Sequence, residues 1–70
     1  MKKYRRIEQR FTNAKQITEV TEKEYITYCE WDDGEITSRV KFPLSQMGWN
    51  SLDEFLKDKK HSKKFVLVEN

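Results

Sequence analysis

Apolar and polar residues alternate most regularly on either side of Asp33-Gly34, and this pattern predicts a β-hairpin. Asp-Gly is a preferred pair for a two-residue type I′ turn, because both central positions need a positive φ. A turn at this pair places Trp31 opposite Ile36 and Tyr25 opposite Phe42. Since successive side chains point to opposite faces of a strand, one face then collects Trp31, Ile36, Cys29, Val40, Tyr25 and Phe42, together with Thr27 and Ser38.

A three-residue loop with a bulge is the alternative at this turn, and it would shift the register by one residue. The two-residue turn is preferred because it segregates the apolar side chains better. It predicts that Gly34 has a positive φ. It also predicts that Trp31 is mostly buried, in contact with Ile36 and with a helix further along the chain.

Two further segments upstream are expected to join the sheet. Residues 16–21 are rich in β-branched side chains, which favours a strand. Residues 4–11 place Tyr4, Ile7 and Phe11 at a spacing that fits a helix as well as a strand, and both remain open. Turns are expected at residues 12–15 and near Glu22-Lys23.

Helix signals follow the hairpin. Residues 43–47 have proline at their start and Gly48 just after their end, which predicts a single helical turn. Ser51-Leu52-Asp53-Glu54 is a capping box, so a helix is expected from Leu52 to about Lys59. Lys60-His61-Ser62 is expected to form a loop. Residues 65–68 predict a last strand that is apolar on both sides, buried in mid-sheet or in contact with a partner chain.

These elements predict one α+β domain over residues 1–70, a small antiparallel sheet of about four strands with one short helix packed on it. Leu, Ile, Val and Phe make up 16 of the 70 residues, just above the level typical of disordered chains. A valine, an aromatic-rich strand, Trp31-Asp32-Asp33-Gly34 and a β-branched strand resemble small SH3-like barrels of the Tudor or KOW kind, over roughly Ile17 to Phe42. That resemblance implies an alternative fold, an SH3-like β-barrel with an added C-terminal helix.

The composition favours a cytoplasmic protein that does not enter a membrane. The single cysteine, Cys29, excludes an internal disulfide. No apolar run approaches the roughly 20 residues that span a bilayer. The N-terminus is basic, but no apolar stretch follows it, as a signal peptide would require.

Residues with catalytic potential are few and scattered, so the chain is not expected to be an enzyme. His61 is the only histidine and lies among lysines. Cys29 falls on the apolar face of a strand, where a thiol usually serves as a small core residue. The adjacent Asp32 and Asp33 are explained by the turn. No catalytic residue, metal site or cofactor is predicted.

Charge is sorted along the chain, and this suggests a function. Residues 1–15 carry a net charge of +5, residues 16–36 of −6 and residues 57–70 of +3. If the first and last strands are neighbours, their cations form one patch for the phosphates of DNA or RNA, and Tyr4, Tyr28 and Phe65 become candidates for base stacking. The acidic middle would repel phosphate on the same face. The predicted nucleic-acid-binding residues are Lys2, Lys3, Arg5, Arg6, Arg10, Lys60, Lys63 and Lys64.

The alternative function is a small protein-binding regulator or inhibitor, of cellular or phage origin, that docks on a larger protein. Tyr, Trp and Arg are the residues most often found at the energetic centres of interfaces. Tyr28 and Trp49 are the candidate partner-binding aromatics, and the chain is expected to be a monomer or a weak dimer.

Overall fold

Five antiparallel strands form one open sheet in the computed structural model, which describes residues 1–70. The strands run in the spatial order β4-β3-β2-β1-β5. Residues 4–11, whose pattern fits a helix as well as a strand, form a strand that pairs with a neighbour on each side. The strands are β1 (Lys3–Phe11), β2 (Ala14–Thr21), β3 (Glu24–Trp31), β4 (Ile36–Pro43) and β5 (Val66–Glu69).

The predicted α+β class is confirmed, with five strands rather than about four. The alternative SH3-like barrel does not form, because β4 and β5 lie at the two edges of the sheet and do not close it. The helices are short, and none combines the length and the hydrophobicity that a membrane span requires.

The β3–β4 turn is the three-residue alternative and not the two-residue turn. The Trp31 amide donates to the Glu35 carbonyl at 2.9 Å, so residues 32–34 form the loop. Gly34 has the predicted positive φ, at +89°. The shift moves Ile36 opposite Glu30, away from Trp31. The predicted contact between Trp31 and Ile36 is therefore wrong, and Ile36 is 51% exposed.

A second irregularity in β4 restores the predicted register further from the turn. The pairing shifts between Thr27 and Cys29 on β3, and Ser38 on β4 has a φ of +56°. Beyond this bulge Thr27 faces Val40 and Tyr25 faces Phe42, as the pattern predicts.

The helical segment begins and bends at identifiable residues. The predicted turn after Pro43 is a 3-10 helix (Leu44–Met47) that ends at Gly48, with a φ of +100°. Helix α1 (Leu52–Lys57) has the predicted cap, because the Glu54 amide donates to the Ser51 hydroxyl at 3.2 Å. Asp58 leaves helical geometry at ψ 82°, and a second turn, α2 (Lys59–Ser62), follows. Residues 60–62 are thus helical, and the predicted loop is wrong.

The core lies between one face of the sheet and this helical layer. Tyr4, Val20, Tyr25 and Phe42 oppose one another across four strands and so share that face, which we call the helical face. The opposite face, the open face, carries Arg5, Glu19, Ile26 and Lys41. The buried cluster comprises Val20, Leu44, Leu52, Phe55 and Phe65.

Two expectations about burial are overturned by this packing. Trp31 is outside the core cluster and stacks on Phe11 at the other end of the strands. Strand β5 is not in mid-sheet: it lies at an edge, and Val66, Leu67 and Val68 are 61%, 46% and 42% exposed. Whether β5 meets a partner chain stays a prediction.

Candidate nucleic-acid interface

Arg6 is held at the rim of the core by β1. It lies two residues beyond Tyr4 and opposite Thr18, so it points to the helical face. Its guanidinium carbon is 5.0 Å from the centroid of the Phe65 ring, a cation–π contact. Arg6 Nη2 also lies 3.5 Å from the Thr18 hydroxyl. These contacts on both sides fix the guanidinium group in place.

A cleft opens beside Arg6 where β1 meets α2 and the start of β5. Because β5 pairs with β1, cations from both ends of the chain meet there, as the sequence predicts for neighbouring first and last strands. One carboxylate, Glu8, stands among four permanent cations. The lining of this basic cleft is Arg6, Glu8, Lys60, His61, Lys63 and Lys64.

Within the basic cleft, Arg6 Nε is buried and has no hydrogen-bond partner. Glu8 Oε1 lies 3.3 Å away, close enough for an ion pair but without hydrogen-bond geometry. A buried charged donor without a partner costs free energy. The Glu8 carboxylate balances part of the Arg6 charge, and the exposed lysines of the cleft remain open to phosphate oxygens, the acceptors that cationic side chains bind strongly.

Lys3 and Arg5 lie on the open face, away from the basic cleft. Arg5 Nε donates to Glu19 Oε2 at 2.8 Å, and this hydrogen bond raises the pKa of Arg5. Lys3 Nζ is 4.0 Å from Glu19 and 3.8 Å from Glu69. The charges of these two predicted residues are thus balanced within the domain. Lys2 is exposed before β1 begins and forms no ion pair.

Arg10 lies on the helical face, at the end of β1 away from Tyr4, where the register shifts between Gln9 and Phe11. Its guanidinium carbon is 5.4 Å from the Phe11 ring centroid, and its Nη1 donates to the Gln16 side chain. Arg6 and Arg10 thus share a strand and a face, although no contact joins them.

Of the aromatic candidates, Trp49 is engaged in the domain's own packing. Its ring meets Phe55 edge-on at 4.9 Å, and its Nε1 donates to Asp58 at 3.1 Å. Hydrogen bonds with Trp49 and His61 lower the pKa of Asp58. Tyr4 packs against the core and Phe65 lies inside it.

Tyr28, the other aromatic candidate, lies on the open face, since its neighbour Ile26 does. It is half-buried there. Burial and the nearby carboxylates of Glu19 and Glu30 raise the pKa of its hydroxyl.

The acidic middle of the chain lies away from the basic cleft. Glu19, Glu24 and Glu30 project to the open face, and Asp32, Asp33 and Glu35 sit at the β3–β4 turn. Glu8 is the only carboxylate that lines the cleft. The sequence could not distinguish these faces, because the charges of β1 alternate between them residue by residue.

The histidine and the cysteine of the chain lie apart from each other and have different surroundings. No group of three or more His, Cys, Asp and Glu side chains is arranged to hold a metal ion. His61 Nδ1 lies 2.9 Å from Asp58 Oδ2, and its ring meets Trp49 at 5.5 Å. Cys29 is buried.

Comparison with protein-family models, with curated proteins and with solved structures finds no match to this chain.

Proposed function

We propose that this protein binds nucleic acid through the basic cleft and acts as a non-enzymatic accessory or regulatory factor. One observation carries the proposal: four cations from the two ends of the chain line one cleft, in which Glu8 is the only carboxylate. Phosphate oxygens supply the negative charge that balances the excess of cations in this cleft.

The cationic side chains of the basic cleft differ in conformational freedom, and this difference determines the role that each has in binding. Arg6 is half-buried and fixed against Phe65, so it offers a preorganised donor to one phosphate. Lys60, Lys63 and Lys64 are exposed on flexible stems and act as point charges along the backbone. Contacts of this kind position the nucleic acid without reading its sequence.

Binding is tested by fluorescence anisotropy with labelled mixed-sequence DNA and RNA, at about 50 mM salt and micromolar protein, where sequence-independent binding is visible. The test variant is Lys63→Glu/Lys64→Glu. The matched control is Lys15→Glu/Lys41→Glu, which makes the same charge change on the open face. Both control residues are exposed, and the Lys41–Glu24 ion pair that the control breaks contributes little.

The cleft variant is expected to lose affinity by on the order of tenfold or more, because it replaces two phosphate contacts by repulsion. The control is expected to lose much less. Equal losses in the two variants would mean that net charge, and not the basic cleft, determines binding. If the wild-type protein binds neither DNA nor RNA, the proposal is wrong.

A second candidate function, docking on a larger protein, is favoured by the exposed edge of β5. Three consecutive apolar residues, Val66, Leu67 and Val68, lie at this free edge. An unpaired apolar edge is a template for an added strand. The other edge strand, β4, is interrupted by the bulge at Ser38.

This candidate predicts that Val66→Lys/Val68→Lys abolishes capture of one defined protein, whereas Val40→Lys on β4 does not. Co-purification followed by mass spectrometry is the measurement. If no protein distinguishes the β5 variant from the β4 variant, docking through this edge is excluded.

A further inference from the structure

Two aromatic rings stack on the helical face where β1 and β3 end, at the end of the sheet away from the core cluster. The centroids of Phe11 and Trp31 are 6.0 Å apart and their planes differ by 11°. The rings share the helical face with Ala14, which faces both of them across the sheet and is fully buried. Phe11 nevertheless remains 48% exposed. An aromatic surface therefore faces solvent on the same side as the basic cleft.

The position of this aromatic pair is fixed by hydrogen bonds. Trp31 Nε1 donates to the Thr37 hydroxyl at 2.9 Å. The Asp32 amide donates to the Asn13 carbonyl at 3.0 Å, which ties the β1–β2 and β3–β4 turns together. Little ordering entropy is then lost when a flat ligand binds, as in other preorganised sites.

The pair lines an open cleft that also contains a cation and polar groups. Its lining is Arg10, Phe11, Thr12, Asn13 and Trp31. Arg10 lies over the Phe11 ring. Aromatic rings beside a guanidinium group suit a nucleotide, because the base can stack while the phosphate meets the cation.

Arg10 and Arg6 connect this cleft to the basic cleft. They are four residues apart on one strand and reach the same face. At about 3.4 Å per residue, the two side chains start roughly 14 Å apart, or slightly less because of the register shift. A ligand that lies along β1 therefore contacts the cations of the basic cleft first and the aromatic pair last.

The path of this ligand ends at Trp31. A second cleft, which shares Asn13 and Trp31 with the first, is lined in addition by three carboxylates, those of Asp32, Asp33 and Glu35. Phosphates are repelled there, so the anionic backbone must leave on the Arg10 side. The aromatic pair can therefore bind one end of a short nucleic-acid segment.

We propose that the ligand of the basic cleft is a single-stranded nucleic acid whose terminal bound base stacks on the Phe11–Trp31 pair while its phosphates lie along Arg10 and Arg6. The inference rests on the proposed function. A duplex does not fit this site, because its bases are already stacked and paired inside the helix. The bound segment is short, roughly 4 nucleotides, at the lower end of the sizes known for single-strand-binding modules.

The test compares the affinity of Phe11→Ala for a labelled oligo(dT) and for a duplex of the same length. Loss of one stacked base is expected to weaken single-strand binding on the order of tenfold or more. Duplex binding through the basic cleft should stay within about twofold of the wild-type value, since phosphate contacts do not involve the ring. Phe11→Tyr keeps a stacking ring and should retain the affinity.

The matched control is Ile7→Ala, which removes an exposed apolar side chain from the open face of the same strand. It should leave both affinities unchanged. A second readout is the fluorescence of Trp31, measured in Trp49→Phe so that Trp31 is the only tryptophan. Oligo(dT) should quench it, and an abasic oligonucleotide of the same length should not.

The outcomes separate the two proposals. If Phe11→Ala binds single strands as tightly as the wild-type protein, or loses affinity equally for duplex, the stacking site is wrong while the basic cleft stands. If the wild-type protein binds no nucleic acid, both proposals fail. Should Trp49→Phe not fold, the anisotropy comparison still decides the question.

Discussion

Phe55 is the centre of the core, so shortening it should cost more stability than shortening an exposed phenylalanine. Its side chain is 1% exposed, and its ring meets Trp49 at 4.9 Å and Phe65 at 5.0 Å, both edge-on. Phe55→Leu removes three carbons, at about 0.8 kcal/mol for each buried methylene. It also removes two aromatic pairs, each contributing about 0.5–1.5 kcal/mol. The expected loss is therefore roughly 3 kcal/mol or more.

Such a loss is a large part of the total stability of a domain of this size, since folded proteins have about 0.05–0.15 kcal/mol per residue. The assay is urea unfolding followed by circular dichroism, with a thermal scan alongside. The Tm should fall by at least about 12 °C, at 4–8 °C per kcal/mol. Phe11→Leu is the control, because this ring is 48% exposed and forms one aromatic pair, with Trp31, instead of two; it should cost about 2 kcal/mol, roughly half the loss of Phe55→Leu. Equal losses in the two variants would refute the placement of the core.

Three further predictions concern the turn, the open face and metal independence. Gly34 has a φ of +89° with open space around its Cβ position, so Gly34→Val should destabilise the domain by about 1–3 kcal/mol through backbone strain alone; an unchanged urea midpoint would contradict this. Burial, with Glu19 and Glu30, raises the pKa of Tyr28 above its usual 10.0, so its contribution to stability is complete below pH 10 and is lost as the pH rises towards the folded-state pKa. Between about pH 8 and about pH 11, the urea midpoint should therefore fall more for the wild-type protein than for Tyr28→Phe. Equal falls in the two proteins would count against the raised pKa of Tyr28. A chelator should leave the Tm unchanged, and stoichiometric zinc in the purified protein would overturn that expectation.

Local signals in the sequence predicted the helical segment well, because each depends on a few neighbouring residues. Ser51 and Glu54 form the expected cap, and Gly48 ends the preceding 3-10 turn. The helix continues past its predicted end because Asp58 bends the chain without stopping it. Its Oδ2 binds Trp49 and His61 across this bend. A contact of this kind is tertiary and leaves no periodic pattern.

The hairpin shows why the sheet was harder to predict. Segregation of apolar side chains favoured the two-residue turn, but the chain forms a three-residue loop and a bulge at Ser38 that together restore the register. The alternation of apolar and polar residues does not reveal these two register shifts. The bulge restores the strand pairing that the three-residue loop changes, so the pattern beyond the bulge is the same as without either shift. Strand β5 is misleading for a different reason: its apolar residues lie at a solvent-exposed edge.

For the candidate site, too, the sequence predicted what depends on neighbouring residues and missed what depends on strand pairing. The sequence identified the basic segments, and the pairing of β5 with β1 brings Arg6 together with Lys63 and Lys64. It could not show that Arg5, next to Arg6, points to the opposite face and binds Glu19, because the helix–strand ambiguity of residues 4–11 left the faces undefined. Phe11 was missed as a stacking candidate, although its place beside Arg10 was visible in the sequence.

The salt dependence of binding tests the basic cleft most directly. The affinity of the wild-type protein for a mixed-sequence single-stranded oligonucleotide is measured by anisotropy over a series of salt concentrations. If Arg6, Lys60, Lys63 and Lys64 each meet a phosphate, these four contacts of the basic cleft alone give a slope of log affinity against log salt of about −3, at roughly −0.7 per contact. Lys63→Glu/Lys64→Glu should reduce the magnitude of this slope by about half. A slope near zero, or no binding by the wild-type protein at about 50 mM salt, would contradict nucleic-acid recognition through this cleft.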